Sequence, residues 1–257
     1  MNFSHLNFGI FVLKFYGIGV AIAFLVGAWH FYKILKTKNF SLDFFVQCFG
    51  KWAFIAILVG RLFAITLDHQ IFSRHGIFSF FVFWDGEISL LGACLGFLVV
   101  AFFDCKKHNQ IFFQWLDLAI PSILISILIL DITNFVTGSV YGKETTMPWG
   151  IQYQTSNVDL LGVLHPISIY AFLLHLWIFL FSKKYQNIFA KLPGKLTIRV
   201  LIFIFFTDFF LQFFRGDPSV KIFDLIRVEQ LVDFFILIFL FYIGRRLAKK
   251  FLKMNRR

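Results

Sequence analysis

Residues 131–150 read DITNFVTGSVYGKETTMPWG and follow the apolar run WLDLAIPSILISILIL at 115–130. A helix crossing lipid needs about 20 predominantly apolar residues, and this run supplies them. Its end is polar. An acid within hydrocarbon costs about 2.5–3.5 kcal/mol on insertion scales, so Asp131 requires a bundle partner or the interface. Asn134 follows three residues later, on the same helix face. Gly138 and Gly142 permit a backbone exit at positive φ. Pro148-Trp149-Gly150 reads as a turn with an interfacial aromatic anchor.

The remainder of the chain resembles this run. Of 257 residues, 59% are hydrophobic and only 15% charged, with 40 Phe, whereas an ordinary soluble domain is about a quarter charged. Apolar segments recur at about 15–33, 52–67, 87–103, 115–136, 165–182, 197–214 and 230–244, each near the length of a span. No alternating pattern suggests a barrel. The expectation is an all-α integral membrane protein, one polytopic domain over 1–257 with seven transmembrane helices. Cys48, Cys94 and Cys105 show neither metal spacing nor a disulfide framework. No metal or cofactor is expected, and no removable signal peptide is read at the N-terminus.

The net charge of +11 is a matter of topology rather than of nucleic acid. Basic residues gather in alternate loops, with Lys36 and Lys38, Lys106 and Lys107, Lys183 and Lys184, and then a tail containing Arg245, Arg246, Lys249 and Lys250. That bias puts the N-terminus outside and the C-terminus in the cytoplasm. With this orientation Arg61, Asp131, Asn134, His165, Asp208, Gln212 and Arg215 all fall toward the outer half of the spans. Their convergence predicts a site there, with Asp131 paired to Arg61 or Arg215. Pro166 after His165 suits the first position of a helix. Arg215, at the end of the sixth segment, presents a guanidinium fork matched to phosphate.

These residues resemble the bacterial prolipoprotein diacylglyceryl transferases, whose pattern for the opening stretch is roughly Gly-Arg-x-Gly-Asn-Phe-x-Asn-x-Glu-x-x-Gly, then a basic residue and Pro-Trp-Gly. The chain keeps Asn134, Phe135, Gly138, Tyr141, Gly142, Lys143 and Pro148-Trp149-Gly150. FYGIGVAIAFLVG with Tyr16, GRL with Arg61, LHPISIY with His165 and Tyr170, and FFRGDPS with Arg215 follow in family order. The resemblance implies a seven-helix enzyme of the bacterial plasma (inner) membrane that moves the diacylglyceryl group of phosphatidylglycerol onto the cysteine thiol of a prolipoprotein lipobox. It implies His165 and Arg215 as catalytic candidates. Tyr16, Arg61, Asn134, Gly138, Tyr141, Gly142, Lys143 and Tyr170 become substrate-binding candidates.

The chain also departs from the family pattern. The signature arginine is Asp131, the signature glutamate is Ser139, and the histidine of the Ser-Phe-His-Gly-Gly segment is Leu91. Three readings stay open: a transferase with a rewired site, a relative that binds lipid or prolipoprotein without transfer, and, least favoured, an unrelated seven-helix receptor or transporter.

Overall fold

The computed structural model describes residues 5–7, 12–67, 72–73, 76–81, 88–153, 155, 158, 162–189, 192–219, 221–222 and 226–254. Residue 87 and most of the 68–86 loop lie outside the described residues. Among those described there are seven α-helices: α1 (Phe15–Thr37), α2 (Leu42–Leu67), α3 (Leu90–Lys107), α4 (Phe112–Thr137), α5 (Ile167–Phe189), α6 (Lys195–Leu211) and α7 (Val228–Met254). A 3-10 turn spans Gly76–Phe80. Two short hairpins pair β1 (His5–Asn7) with β2 (Val12–Lys14), and β3 (Lys221–Ile222) with β4 (Ile226–Arg227). Four helices are long and apolar enough to cross a membrane: α1, Leu42–Thr66 of α2, α4, and Ile167–Asn187 of α5.

Helix ends differ from those expected. α2 begins at Leu42 rather than near 52, because Asp43, Gln47 and Lys51 interrupt its apolar run without interrupting its helix. α7 continues to Met254 through a basic stretch whose lysines and arginines are good helix formers. α6 stops at Leu211, and residues 212–214 form a turn.

The chain divides into two compact units, Leu13–Phe31 with Phe113–Arg257, and Tyr32–Phe112. In the second unit, α2 and α3 pack closely. A Cβ on Gly92 would lie 2.5 Å from Phe63 Cβ, and one on Gly96 2.7 Å from Val59 Cβ. Small residues let helix backbones approach where lipid gives no hydrophobic drive to associate. The far end of the pair is locked by Asp104, which accepts from Trp52 Nε1 at 2.7 Å and from Lys51 Nζ at 2.6 Å. Both helix corners of this unit turn at an asparagine in the left-handed region, Asn39 (φ 48°) and Asn109 (φ 53°). Each is closed by an amide reaching back five residues, Phe40 N to Leu35 O and Gln110 N to Cys105 O.

In the first unit, α4, α5 and α6 share a core of Ile120, Leu124, Ile178, Leu196, Val200 and Ile204. Asp117 of α4 caps α6, accepting from Gly194 N (2.7 Å), Thr197 N (2.8 Å) and Thr197 Oγ1 (2.6 Å). α1 docks on α4 through small residues: Ser126 Oγ donates to Ala23 O at 2.8 Å, and His30 Nδ1 lies 2.9 Å from Ser122 Oγ.

Gly50, also in α2, has nothing within 4 Å of a built Cβ. Gly50→Ala should therefore stabilise by about 0.5–1 kcal/mol, since alanine costs less conformational entropy in a helix. Gly92→Val should lower the thermal midpoint. Thermal unfolding of both variants in one detergent measures the contrast.

Candidate functional site

The fourth helix ends as its sequence suggests. Gly138 has φ +66°, and Ser139 N donates to Asn134 O at 3.2 Å. A side chain at Gly138 would also collide with Thr155 Oγ1 at 2.4 Å. The chain then enters a three-stranded backbone junction. Lys143 N donates to Phe214 O (2.8 Å), and His165 N donates to Lys143 O (3.0 Å). Gly142 N donates to His165 O (3.0 Å), and Gly216 N to Tyr141 O (2.9 Å). The stretch 141–144 is thus sandwiched between 164–165 and 214–216.

Gly142 serves this junction by close approach and not by the positive φ expected of it. A Cβ there would lie 2.5 Å from His165 Cβ, and one on Gly216 would lie 2.3 Å from Gly142 O. Five of the candidate residues, Tyr141, Gly142, Lys143, His165 and Arg215, meet in this exchange of backbone bonds. Tyr141 is buried at 2% exposure, so its ring supports the junction from below rather than facing outward.

His165 is half-buried against Phe214, ring centroids 5.7 Å apart. Its Nδ1 lies 3.2 Å from Tyr170 Oη, which accepts from Trp149 Nε1 at 2.7 Å. With the phenol oxygen taken up by the indole, its O–H is free to donate to Nδ1, favouring the tautomer with the proton on Nε2. Burial pushes the Tyr153 phenol up to about 12, so it stays neutral at any physiological pH.

On the other flank of the junction lies a small open recess of about 70 Å³, lined by Lys143, Gln212, Phe213, Arg215, Lys221, Arg227 and Gln230. Arg215 grips Asp217 with both arms of its fork, Nε to Oδ1 at 2.8 Å and NH2 to Oδ2 at 2.5 Å. Arg227 reaches the same carboxylate at 3.3 Å and also donates to Arg215 O and Asp217 O. Burial pulls the Arg215 pKa down, but the Asp217 contact outweighs it and holds the pKa above its ordinary value. The guanidinium is therefore permanently charged. Gln212 Oε1 is buried with no hydrogen-bond partner among the described residues.

Arg227, Lys221 and Gln230 were not among the sequence candidates. The signal available was a second arginine twelve residues after Arg215, within a segment otherwise read as loop. Asn134 and Tyr16 stand outside this exchange of backbone bonds. Asn134 is in the last turn of α4, and Tyr16 is in the first turn of α1 with an exposed ring. One turn after Tyr16, a Cβ on Gly19 would strike Thr133, the neighbour of Asn134. Arg61 belongs to the second unit, is 1% exposed, and donates from Nε to Ser79 O at 2.8 Å.

Asp131 pairs with neither arginine. Its Oδ2 lies 2.7 Å from Nδ1 of His175 in α5, a residue the sequence reading passed over. A histidine in the middle of an apolar helix was the signal. Leu91 stands 59% exposed in the first turn of α3.

A family model described as prolipoprotein diacylglyceryl transferase matches residues 4–244. A phosphatidylglycerol-prolipoprotein diacylglyceryl transferase of Ehrlichia ruminantium (strain Gardel) is 28% identical over 247 residues, covering 91% of this chain and 92% of that protein. A protein of the same name from Prochlorococcus marinus (strain MIT 9215) is 27% identical, covering 84% and 80%. Another, from Wolbachia pipientis wMel, is 27% identical, covering 82% and 80%.

Asp131→Arg, which restores the family residue type, should destabilise this chain by about 3–5 kcal/mol, because it removes a buried partner from His175 and adds an unpaired charge. Leu91→His, at an exposed position, should change stability by no more than about 0.5 kcal/mol. Denaturant midpoints of the two single variants test the difference.

Proposed function

This chain belongs to the prolipoprotein diacylglyceryl transferase family, and we propose that it transfers the diacylglyceryl group of phosphatidylglycerol to the thiol of a lipobox cysteine. The observation that carries this reading is the recess in which Lys143, Arg215, Lys221 and Arg227 gather beside the Gly142–Gly216 junction. Four cations at the end of a bundle of apolar helices suit an anionic lipid head whose tails remain in hydrocarbon. Guanidinium forks pair with phosphate through two parallel hydrogen bonds.

The cysteine sulfur, as thiolate, attacks the glyceryl carbon. The carbon–oxygen bond to phosphate breaks, and glycerol phosphate departs with an extra negative charge. Preorganised cations are aimed where that charge develops, which stabilises the transition state more than the bound lipid. His165, oriented by Tyr170 and Trp149, stands at the junction with its Nε2–H able to donate a hydrogen bond to a phosphate oxygen. Tyr16 and Asn134, at adjoining ends of α1 and α4, are placed to orient the lipid head.

In the membrane we read all seven helices as spans, with the N-terminus outside and the C-terminus in the cytoplasm of a bacterial plasma membrane. The basic continuation of α7 supports that orientation. α3 and α6 are shorter than the four strongest candidates; Asp104 is paired with Lys51, and Asp117 is hydrogen-bonded by Gly194 and Thr197.

A second reading, binding without transfer, draws support from Leu91 and Asp131, since neither can take the part of the residue that the family pattern expects. Purified full-length chain, phosphatidylglycerol vesicles and a lipobox peptide separate the two. Thioether-linked diacylglyceryl peptide is expected by mass spectrometry, falling about 10²-fold or more in Arg215→Ala and Arg227→Ala. No product beside a working positive control, with vesicle binding intact, establishes the second reading instead.

A further inference from the structure

Beneath the recess, three ionisable side chains from three helices stand in a row. Asp131 of α4 is 6% exposed and His175 of α5 is 4% exposed. His175 Nδ1 is 2.7 Å from Asp131 Oδ2, and its Nε2 is 3.8 Å from Asp208 Oδ1 of α6. That Nε2 has no hydrogen-bond partner among the described residues. The Asp208 side chain is 38% exposed. The row therefore runs from a buried carboxylate, through an imidazole, to a partly buried carboxylate.

A contact that merely fastened α5 to α4 would be complete with Asp131 and His175. Here a second carboxylate faces the opposite nitrogen, in surroundings where charge is costly. Two carboxylates about one ring oppose each other's ionisation, and a proton between them relieves the repulsion. The other charges acting on Asp208 are Arg215 after α6 and Asp233 of α7, itself influenced by Glu229. Asp208 lies one helical turn below Gln212, whose side chain lines the recess. The row thus begins where the recess ends.

We propose that Asp131, His175 and Asp208 form a proton relay that accepts the thiol proton of the peptide substrate. This rests on the transfer reaction proposed above. Asp208 takes the proton as the S–H bond breaks, and the electron pair stays on sulfur. The proton moves on to His175 Nε2, and Asp131 balances the imidazolium. The sulfur pair forms the S–C bond, the glyceryl C–O bond breaks, and its pair leaves on the oxygen of glycerol phosphate. The relay returns its proton to that phosphate or to water and is reset.

The test uses the full chain in phosphatidylglycerol vesicles, alongside Asp208→Asn and His175→Gln. Transfer to a lipobox peptide is followed from about pH 5 to pH 9. Both variants should lose about 10²-fold or more. Their residual rate should rise about tenfold per pH unit up to the ordinary thiol pKa of about 8.5, because the peptide must then ionise unaided. The unmodified chain should level off at lower pH. An unchanged rate, or a uniform loss with the profile's shape unaltered, overturns the relay while leaving the transferase reading intact. If the unmodified chain transfers nothing, that reading falls, and infrared titration of the same samples decides the row itself. A protonated-carboxyl band missing from Asp208→Asn and shifted in His175→Gln upholds a shared proton. A spectrum identical in all three overturns it.

Discussion

Hydrocarbon offers no hydrogen bonds, and every polar side chain that this sequence places in its apolar helices is constrained by that fact. The constraint fixes how neighbouring helices meet. Asp104 can be satisfied only where Lys51 and Trp52 reach it, which sets α3 against α2. Asp117 finds its donors at the start of α6, which sets α4 against α6. Asp131 meets Nδ1 of His175, which sets α5 against α4 at the opposite end. Between these fastenings the contacts are glycine, serine and aliphatic surface. Such contacts alone leave rotation and sliding weakly specified, because lipid tails are as apolar as the side chains they would replace.

The functional end obeys the same requirement by other means. Three segments leave the helices and would expose bare amides and carbonyls. They satisfy one another instead, with 141–144 in the middle. This is possible only because Gly142 and Gly216 bring no side chains to the contact. The result is a rigid backbone platform that presents His165 on one flank and the Lys143–Arg215 recess on the other.

Much of this was legible in the sequence, and what was not has physical causes. The seven segments could be counted because apolar runs are long and unambiguous. Their ends were not readable from hydropathy, since Asp43 and Lys51 lie in a helix that continues past the apolar stretch. Gly142, Lys143, His165 and Arg215 meet in the first unit because the segments that follow or precede helix ends exchange backbone bonds there. The partner of Asp131 was misjudged. Opposite formal charge favoured an arginine, whereas the structure supplies a histidine that was counted as part of an apolar run. Arg227 was missed because a charge in a loop looks like any other. Only the fold shows that β3 and β4 carry it back against Arg215.

The grip of Arg215 and Arg227 on Asp217 gives the recess its own resident counter-ion. An arriving anion does not meet vacant guanidinium groups but must exchange with a carboxylate already held on both arms of one fork. Selectivity then follows from a difference between two anions and not from the strength of either alone. A weak monovalent ion gains little by the swap, whereas the lipid headgroup of the proposed reaction, anchored by its own acyl chains, would arrive at high effective concentration to displace the tether. The short 215–217 turn thereby acts as an ion-exchange resin of one site.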